Sequence, residues 1–348
     1  MRPPRLALLM LLTTACGAPC KPAQGSTVVA APAPLATAAA ATTAPELRAE
    51  ASGHASSSGS GSGDGSGDGS GDGSGDGSGA CGHYADPIRR GELPVVLDEA
   101  SGLTSSRWSD DRIWAHNDSG DSARLFALDR SGKLLATVVL EGAKSKDWED
   151  IARGPCASGE AARSCLYVAD MGDNKEKRDE VRFYRFAEPE KLSAEMTVSA
   201  FETMELRYPG GPVNAEAMFV DEQARVVILS KEDDQTRIFV APFAAGGPVT
   251  ATLVGERKLE GGNLFMAELV TAADYDASRR RVAFRTYHHA YEWRLPAGAG
   301  AEALGSLTPE VLPLALEPQG EAIAYLPGGL VTTSETAGSP LFYYDCRP

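Results

Sequence analysis

The stretch Asp147-Trp148-Glu149-Asp150-Ile151-Ala152 decides the reading of this chain. Its core is a Glu placed just ahead of small or apolar residues of strand type. The same core returns as Glu99-Ala100-Ser101-Gly102-Leu103, Glu216-Ala217-Met218-Phe219-Val220, Glu268-Leu269-Val270-Thr271-Ala272 and Glu321-Ala322-Ile323-Ala324-Tyr325. The steps between successive Glu residues are 50, 67, 52 and 53 residues. A repeat of that length, filled with short strand-forming runs between Gly and Asp turns, is the sequence sign of a propeller blade. The expected fold is all-β, a five-bladed β-propeller whose inner strands each begin just after one Glu. A six-bladed ring, with a degenerate blade inside the 67-residue step, is the competing expectation. Helices starting at these Glu residues are disfavoured, because a turn and a β-branched or aromatic run follow each of them.

Blade five runs out of chain after a third strand at 341–344. Leu93-Pro94-Val95-Val96-Leu97 is a surplus apolar run ahead of blade one, and it is expected to supply the missing fourth strand. Pro94 suits such an edge, where a lost backbone donor breaks no ladder bond. An N-terminal strand would then close the ring.

The rest of the 348 residues is read by composition. Residues 1–15 carry Arg2 and Arg5, then the apolar run Leu6 to Leu12, then small residues. That is the pattern of a secretory signal, too short to span a bilayer. Thr13-Thr14-Ala15-Cys16-Gly17 resembles a bacterial lipobox, which would make Cys16 a lipid-carrying first residue; Cys20 is a weaker alternative. Residues 16–80 are Ala, Pro, Thr, Ser and Gly, ending in Gly-Ser-Gly-Asp repeats, and are read as a flexible tether. Asp64, Asp68, Asp72 and Asp76 of the tether contribute to the net charge of −15, so the 81–348 domain is only moderately acidic. With no basic cluster, nucleic acid is not an expected partner. The expectation is a monomer in the bacterial cell envelope, lipid-anchored or secreted, meeting the membrane only through its anchor. In that oxidising setting Cys81 is expected to pair with Cys346 across the ends of the domain, and Cys156 with Cys165.

Propeller topology predicts where the chemistry converges. Connections entering the inner strands, and those between second and third strands, share one face. The five Glu residues should therefore ring the channel mouth. Polar segments join them there: His116-Asn117-Asp118-Ser119-Gly120-Asp121, Asp170-Met171-Gly172-Asp173-Asn174, Ser230-Lys231-Glu232-Asp233-Asp234, Arg285-Thr286-Tyr287-His288-His289 and Ser334-Glu335. Carboxylates about 8 Å apart at an effective dielectric near 20 repel by roughly 2 kcal/mol per pair. A bound cation, Lys231 and Arg285, or retained protons would offset that cost. Hard oxygen donors suit calcium better than zinc, and no Cys or His pair has zinc spacing. The expected calcium ligands are drawn from Glu99, Asn117, Asp118, Glu149, Asp170, Glu216, Glu268 and Glu321. A structural role, locking neighbouring blades through backbone amides, is equally open to each Glu. Lys231, Arg285, Tyr287 and Glu335 are candidates for contacting an unidentified small-molecule or surface ligand; His116, Lys231 and Arg285 are the candidates for catalysis. No Gly-x-Ser-x-Gly elbow and no His-Glu-x-x-His pair is found, against the common serine and zinc hydrolases.

His-Asn-Asp-Ser-Gly-Asp at 116–121, Asp-Trp-Glu-Asp-Ile-Ala at 147–152 and Gly-Asp-Asn at 172–174 resemble a group of secreted bacterial propellers. So do Asn-Ala-Glu-Ala at 214–217, Lys-Glu-Asp at 231–233, Arg-Thr-Tyr at 285–287 and Gln-Gly-Glu-Ala at 319–322. More distantly the layout is similar to the calcium-dependent paraoxonase and gluconolactonase propellers and to phytase-like propellers. That resemblance implies a calcium ion at the channel mouth near Glu99, Asn117, Glu149 and Asp170. Two functions follow as expectations: a ligand-binding or scaffold module with an acidic, calcium-binding mouth, or a calcium-dependent hydrolase of esters, lactones or phosphates.

Overall fold

The computed structural model describes residues 81–160, 162–260 and 266–348; the expected signal segment, Cys16, Cys20 and the 16–80 tether lie outside the described residues. Side-chain turns chop the chain into short strands. Asp129 accepts the backbone N–H groups of Ser131 and Lys133, Asp221 those of Gln223 and Arg225, and Asp276 those of Ser278 and Arg279. Such Asx turns reverse the backbone locally and leave the flanking residues free to pair.

Two strands come first, β1 (His83–Tyr84) and β2 (Ile88–Glu92). Blade one is β3 (Ala100–Ser105), β4 (Arg112–Asn117), β5 (Arg124–Asp129) and β6 (Leu134–Leu140). Blade two is β7 (Trp148–Pro155), β8 (Ser164–Asp170), β9 (Val181–Ala187) and, after the excursion β10 (Glu195–Val198), β11 (Glu202–Arg207). Blade three is β12 (Ala215–Val220), β13 (Arg225–Ser230), β14 (Thr236–Pro242) and, after β15 (Gly246–Thr250), β16 (Thr252–Arg257). Blade four is β17 (Val270–Asp276), β18 (Arg281–Thr286), β19 (Ala290–Arg294) and β20 (Glu310–Leu312), with a 3-10 turn at Ala301–Gly305. Blade five is β21 (Gly320–Leu326), β22 (Gly329–Ser334) and β23 (Pro340–Arg347), completed by β2 and β1, both antiparallel to β23. The chain is thus a five-bladed β-propeller. The inner strands β3, β7, β12, β17 and β21 pack each on the next, and β21 on β3. Five apolar clusters fill the five spaces between blades.

The 67-residue step holds no sixth blade. Its extra length goes into the turn between β7 and β8 and into the connection carrying β10, which leaves blade two and pairs parallel with β6 of blade one. β15 does the same from blade three onto β11 of blade two. The 3-10 turn of blade four packs against β16 of blade three. Among the described residues no helix is long and apolar enough to cross a membrane.

The ring is closed by an N-terminal strand, but not by Leu93–Leu97. The closing strand is β2, five residues earlier. Leu97 donates its N–H to Pro94 O, so the run bends into a turn. Leu93 and Leu97 then point into the cluster between blades five and one, while Val95 is 81% exposed. Burial of two leucines from a turn outweighs the strand propensity of the run, and the polar Ile88–Glu92 segment suits an outer edge. Both expected disulfides are present, Cys81–Cys346 and Cys156–Cys165. The first closes a loop spanning 265 residues, for which the chain-entropy model gives a stabilisation of about 5 kcal/mol.

Buried Asp side chains tie the inner strands together across the channel. Asp150, fully buried, accepts the backbone N–H of Ile151 at 2.8 Å, of Met218 at 2.8 Å and of Ala273 at 3.3 Å. Those donors belong to the inner strands of blades two, three and four. Asp274 repeats the device one step on, accepting from Tyr275 at 2.8 Å and from Tyr325 of blade five at 2.7 Å. Asp150→Ala strands three buried N–H groups and is expected to cost about 3 kcal/mol or more, read as a lowered midpoint in chemical denaturation. An unchanged midpoint would remove Asp150 from this role.

Candidate functional site

Every inner strand carries a β-bulge at its second residue, where it enters the channel mouth. The pairing skips Ser101 in β3, Glu149 in β7, Glu216 in β12, Thr271 in β17 and Glu321 in β21. A bulge breaks strict alternation and re-aims one side chain. Two chemistries occupy this position. In blades one and four it is a hydroxyl that ties the next blade: Ser101 Oγ donates to Glu149 O at 2.6 Å and Thr271 Oγ1 to Gly320 O at 2.9 Å. In blades two, three and five it is a buried Glu.

The five-Glu ring is corrected accordingly. Glu149, Glu216 and Glu321 are equivalent by position, whereas Glu99 and Glu268 lie two and three residues ahead of the bulge. Glu99 is exposed beside Thr336, and Glu268 is half-buried near Tyr291. The bulge shifts register by one residue in space but leaves no mark in the spacing, so an acid a few places upstream imitates the repeat.

Asp118, Asp147 and Glu149 come together, with one oxygen of each lying within 4.8 Å of the other two. Asp118 sits on the β4–β5 connection, Asp147 immediately before β7, and Glu149 in its bulge. Glu149 is 3% exposed, and its carboxylate accepts no hydrogen bond from the described residues. Gly172 faces this group: a Cβ there would collide with Glu149 Oε1 and Asp147 Oδ2. Burial, then repulsion from Glu216, Asp118 and Asp147, pushes Glu149 well above the usual carboxylate range. Burial and the neighbouring acids raise Asp118 to about 7, and burial raises Asp147.

On the other side of the mouth Lys231 Nζ donates to Glu216 Oε2 and, at 2.6 Å, to the Tyr287 hydroxyl. It also lies 4.7 Å from the centre of the Tyr287 ring. Burial opposes this charge, but Glu216, Glu321 and Tyr287 outweigh it and hold the ammonium above the ordinary lysine value. Lys231 is held as an ammonium between Glu216 and Tyr287. Glu335, half-buried, accepts from Gln319, which also reaches Glu321 at 3.5 Å.

The remaining candidates are engaged in structural contacts. Asp170, fully buried, faces Arg178 at 2.9 Å and accepts the backbone N–H of Asp147 at 3.2 Å. The Asn117 amide spans Val96 O, Asp98 and Asp121. Arg285, fully buried, pairs with Glu317 at 2.9 Å and donates to Ala322 O and Thr333 O, in space that only a glycine at 320 leaves open. His116 is fully buried against Trp148, and burial lowers its pKa to about 4, keeping it neutral. Asp147 is the acid the repeat did not single out; its signal was its place two residues ahead of Glu149.

These features define a class: a five-bladed β-propeller with a plugged channel and an acidic mouth holding one internal cation. No protein-family model matches the sequence, and no curated protein matches it. Among solved structures, selenomethionine-substituted virginiamycin B lyase from Staphylococcus aureus is similar at 11% identity and a TM-score of 0.37. The match covers 71% of this chain and 66% of that one, just under two thirds of its length. So remote a likeness says nothing of this chain's chemistry.

Burial, only partly opposed by Lys231, raises Glu321 to about 8; burial, opposed by its two N–H donors, raises Asp274 to about 6. The unfolded values lie near 4 (about 3.9 and 4.3 for Asp and Glu). The folded chain therefore holds protons the unfolded chain releases. This stability is complete below about pH 4 and is lost as pH rises through about 6 and then 8. With chelator present, the melting temperature is expected to fall between about pH 5 and pH 8.5. A flat or rising profile across that window contradicts the assignment.

Proposed function

We propose that this is a secreted or surface-anchored propeller whose channel mouth holds a calcium ion and, through it, a ligand. The observation that supports this is Glu149: a carboxylate only 3% exposed that accepts no hydrogen bond from the described residues, sharing a space kept clear by Gly172 with Asp118 and Asp147. Three such charges repel strongly when partly desolvated, and one divalent ion reverses the sign of the sum. Oxygens within 4.8 Å of one another can share an ion at the roughly 2.3–2.6 Å separations calcium uses. All donors are carboxylates, the hard set that calcium prefers to zinc or copper. When bound, the ion would polarise a ligand oxygen. Asp118, Asp147 and Glu149 would hold it, and Asp150 below closes the channel, so a ligand meets the site only from the open face.

Lys231 supports hydrolysis of esters, lactones or phosphates as a second reading. A fixed ammonium beside the ion would stabilise an oxyanion as it forms. Glu216 already compensates most of that charge, which is why binding is placed first.

Calcium is expected to raise the melting temperature of the full chain, by about 2.7 kcal/mol of added stability when its concentration is 100-fold above Kd. Asp147→Asn and Gly172→Ala are expected to fold but to lose most of the increment, the first by removing a ligand and the second by filling the space. Equal melting in calcium and in chelator would overturn the metal reading. Turnover of model esters, lactones or phosphates that stops on chelation, with the fold intact, would move the assignment to the hydrolase.

A further inference from the structure

We infer that Lys231 is an intramolecular counter-cation filling the second of two cation positions at the channel mouth, so that it sets how many divalent ions the propeller accepts. The inference deepens the calcium reading of the same mouth and shares its geometry, but its test does not depend on that reading being correct.

The bulge position is the starting point. Three blades place a buried Glu there, and the structure treats them unequally. Glu149 lies with Asp118 and Asp147 and receives no hydrogen bond from the described residues. Glu216 and Glu321, at the equivalent positions of blades three and five, dominate the surroundings of Lys231, which also opposes the charge on Glu149. Its ammonium touches the Glu216 carboxylate and the Tyr287 hydroxyl, and the Tyr287 ring lies against it. Glu335 adds a further acid on the same side. The Glu216 carboxylate and the Tyr287 phenol oxygen mark a position of the kind that hard cations take, with Glu321 and Glu335 near enough to act on the same charge. Here a side chain from the β13–β14 connection occupies it.

A tethered ammonium differs from a free ion in three physical respects. It is present at any calcium concentration. It brings one charge rather than two, leaving Glu321 only partly compensated. It is also strongly hydrated when exposed, so its burial among oxygen donors and an aromatic face is what keeps it in place. Removing it leaves uncompensated buried carboxylates around the position the ammonium held, and such groups recruit a counter-ion or a proton.

The test is the number of calcium ions bound per full-length chain, read by titration calorimetry and by metal analysis after equilibrium dialysis. Lys231→Ala is expected to bind one more ion than the unaltered protein, and Lys231→Arg the same number as the unaltered protein. Lys231→Gln, which keeps length without charge, carries the same expectation as Lys231→Ala and stands in if that variant does not fold. Adding Glu216→Gln to either neutral variant is expected to remove the gained ion. An unaltered protein that binds none, with a variant that binds one, would end the calcium reading of Asp118, Asp147 and Glu149 while supporting Lys231 as the resident cation. Neutral variants binding the same number of ions as the unaltered protein would overturn the inference.

Discussion

One carboxylate fixes the geometry from which the rest follows. Asp150 gathers N–H groups from the inner strands of three blades. A five-bladed ring has a narrow axis, and inner strands drawn toward a shared acceptor cannot splay. Asp274 then passes the constraint to blade five. The bulges complete the scheme. Just above Asp150 each inner strand gains one residue, which turns a hydroxyl or a carboxylate toward the mouth. Floor and rim of the cup are thus set by consecutive residues, and Asp150 and Glu149 perform opposite tasks side by side. One accepts three donors and closes the axis; the other accepts none from the described residues and lies with Asp118 and Asp147.

Much of the architecture was legible in the residues. The Asp and Gly turns, the half-hundred-residue period and the placement of the cysteines lead to five blades and two disulfides. A closing strand at the N-terminus was also foreseen, because blade five is one strand short. Its exact segment was not. Leu93–Leu97 has the composition of a strand, but a turn at Pro94 lets two leucines reach an inter-blade core that periodicity does not reveal.

The site was legible in part. Glu149, Glu216, Glu321, Asp118, Lys231 and Tyr287 do approach one another as the topology required. Glu99 and Glu268 matched the spacing but not the register, because a bulge is a matter of hydrogen-bond pairing rather than of residue count. Arg285, Asp170 and Asn117 lie at or next to the ends of β18, β8 and β4, beside the polar connections, as mouth residues would. Their partners, Glu317, Arg178 and the backbone near Val96, come from chain segments whose proximity only the fold defines. Asp147 illustrates the reverse: a residue in the deciding stretch whose meaning depends on Gly172 in another connection.

The excursions β10, β15 and the 3-10 turn carry a further consequence. Each leaves one blade and lies along the outer strand of the blade before it. The segment that could be duplicated or deleted without exposing a raw edge is therefore not a sheet. It is an offset unit that begins after one blade's third strand and ends after the next one's. Growth or shrinkage of this ring by copying whole sheets would leave a shingle missing at each of these three junctions, which confines viable changes in blade number there to cuts made out of phase with the blades.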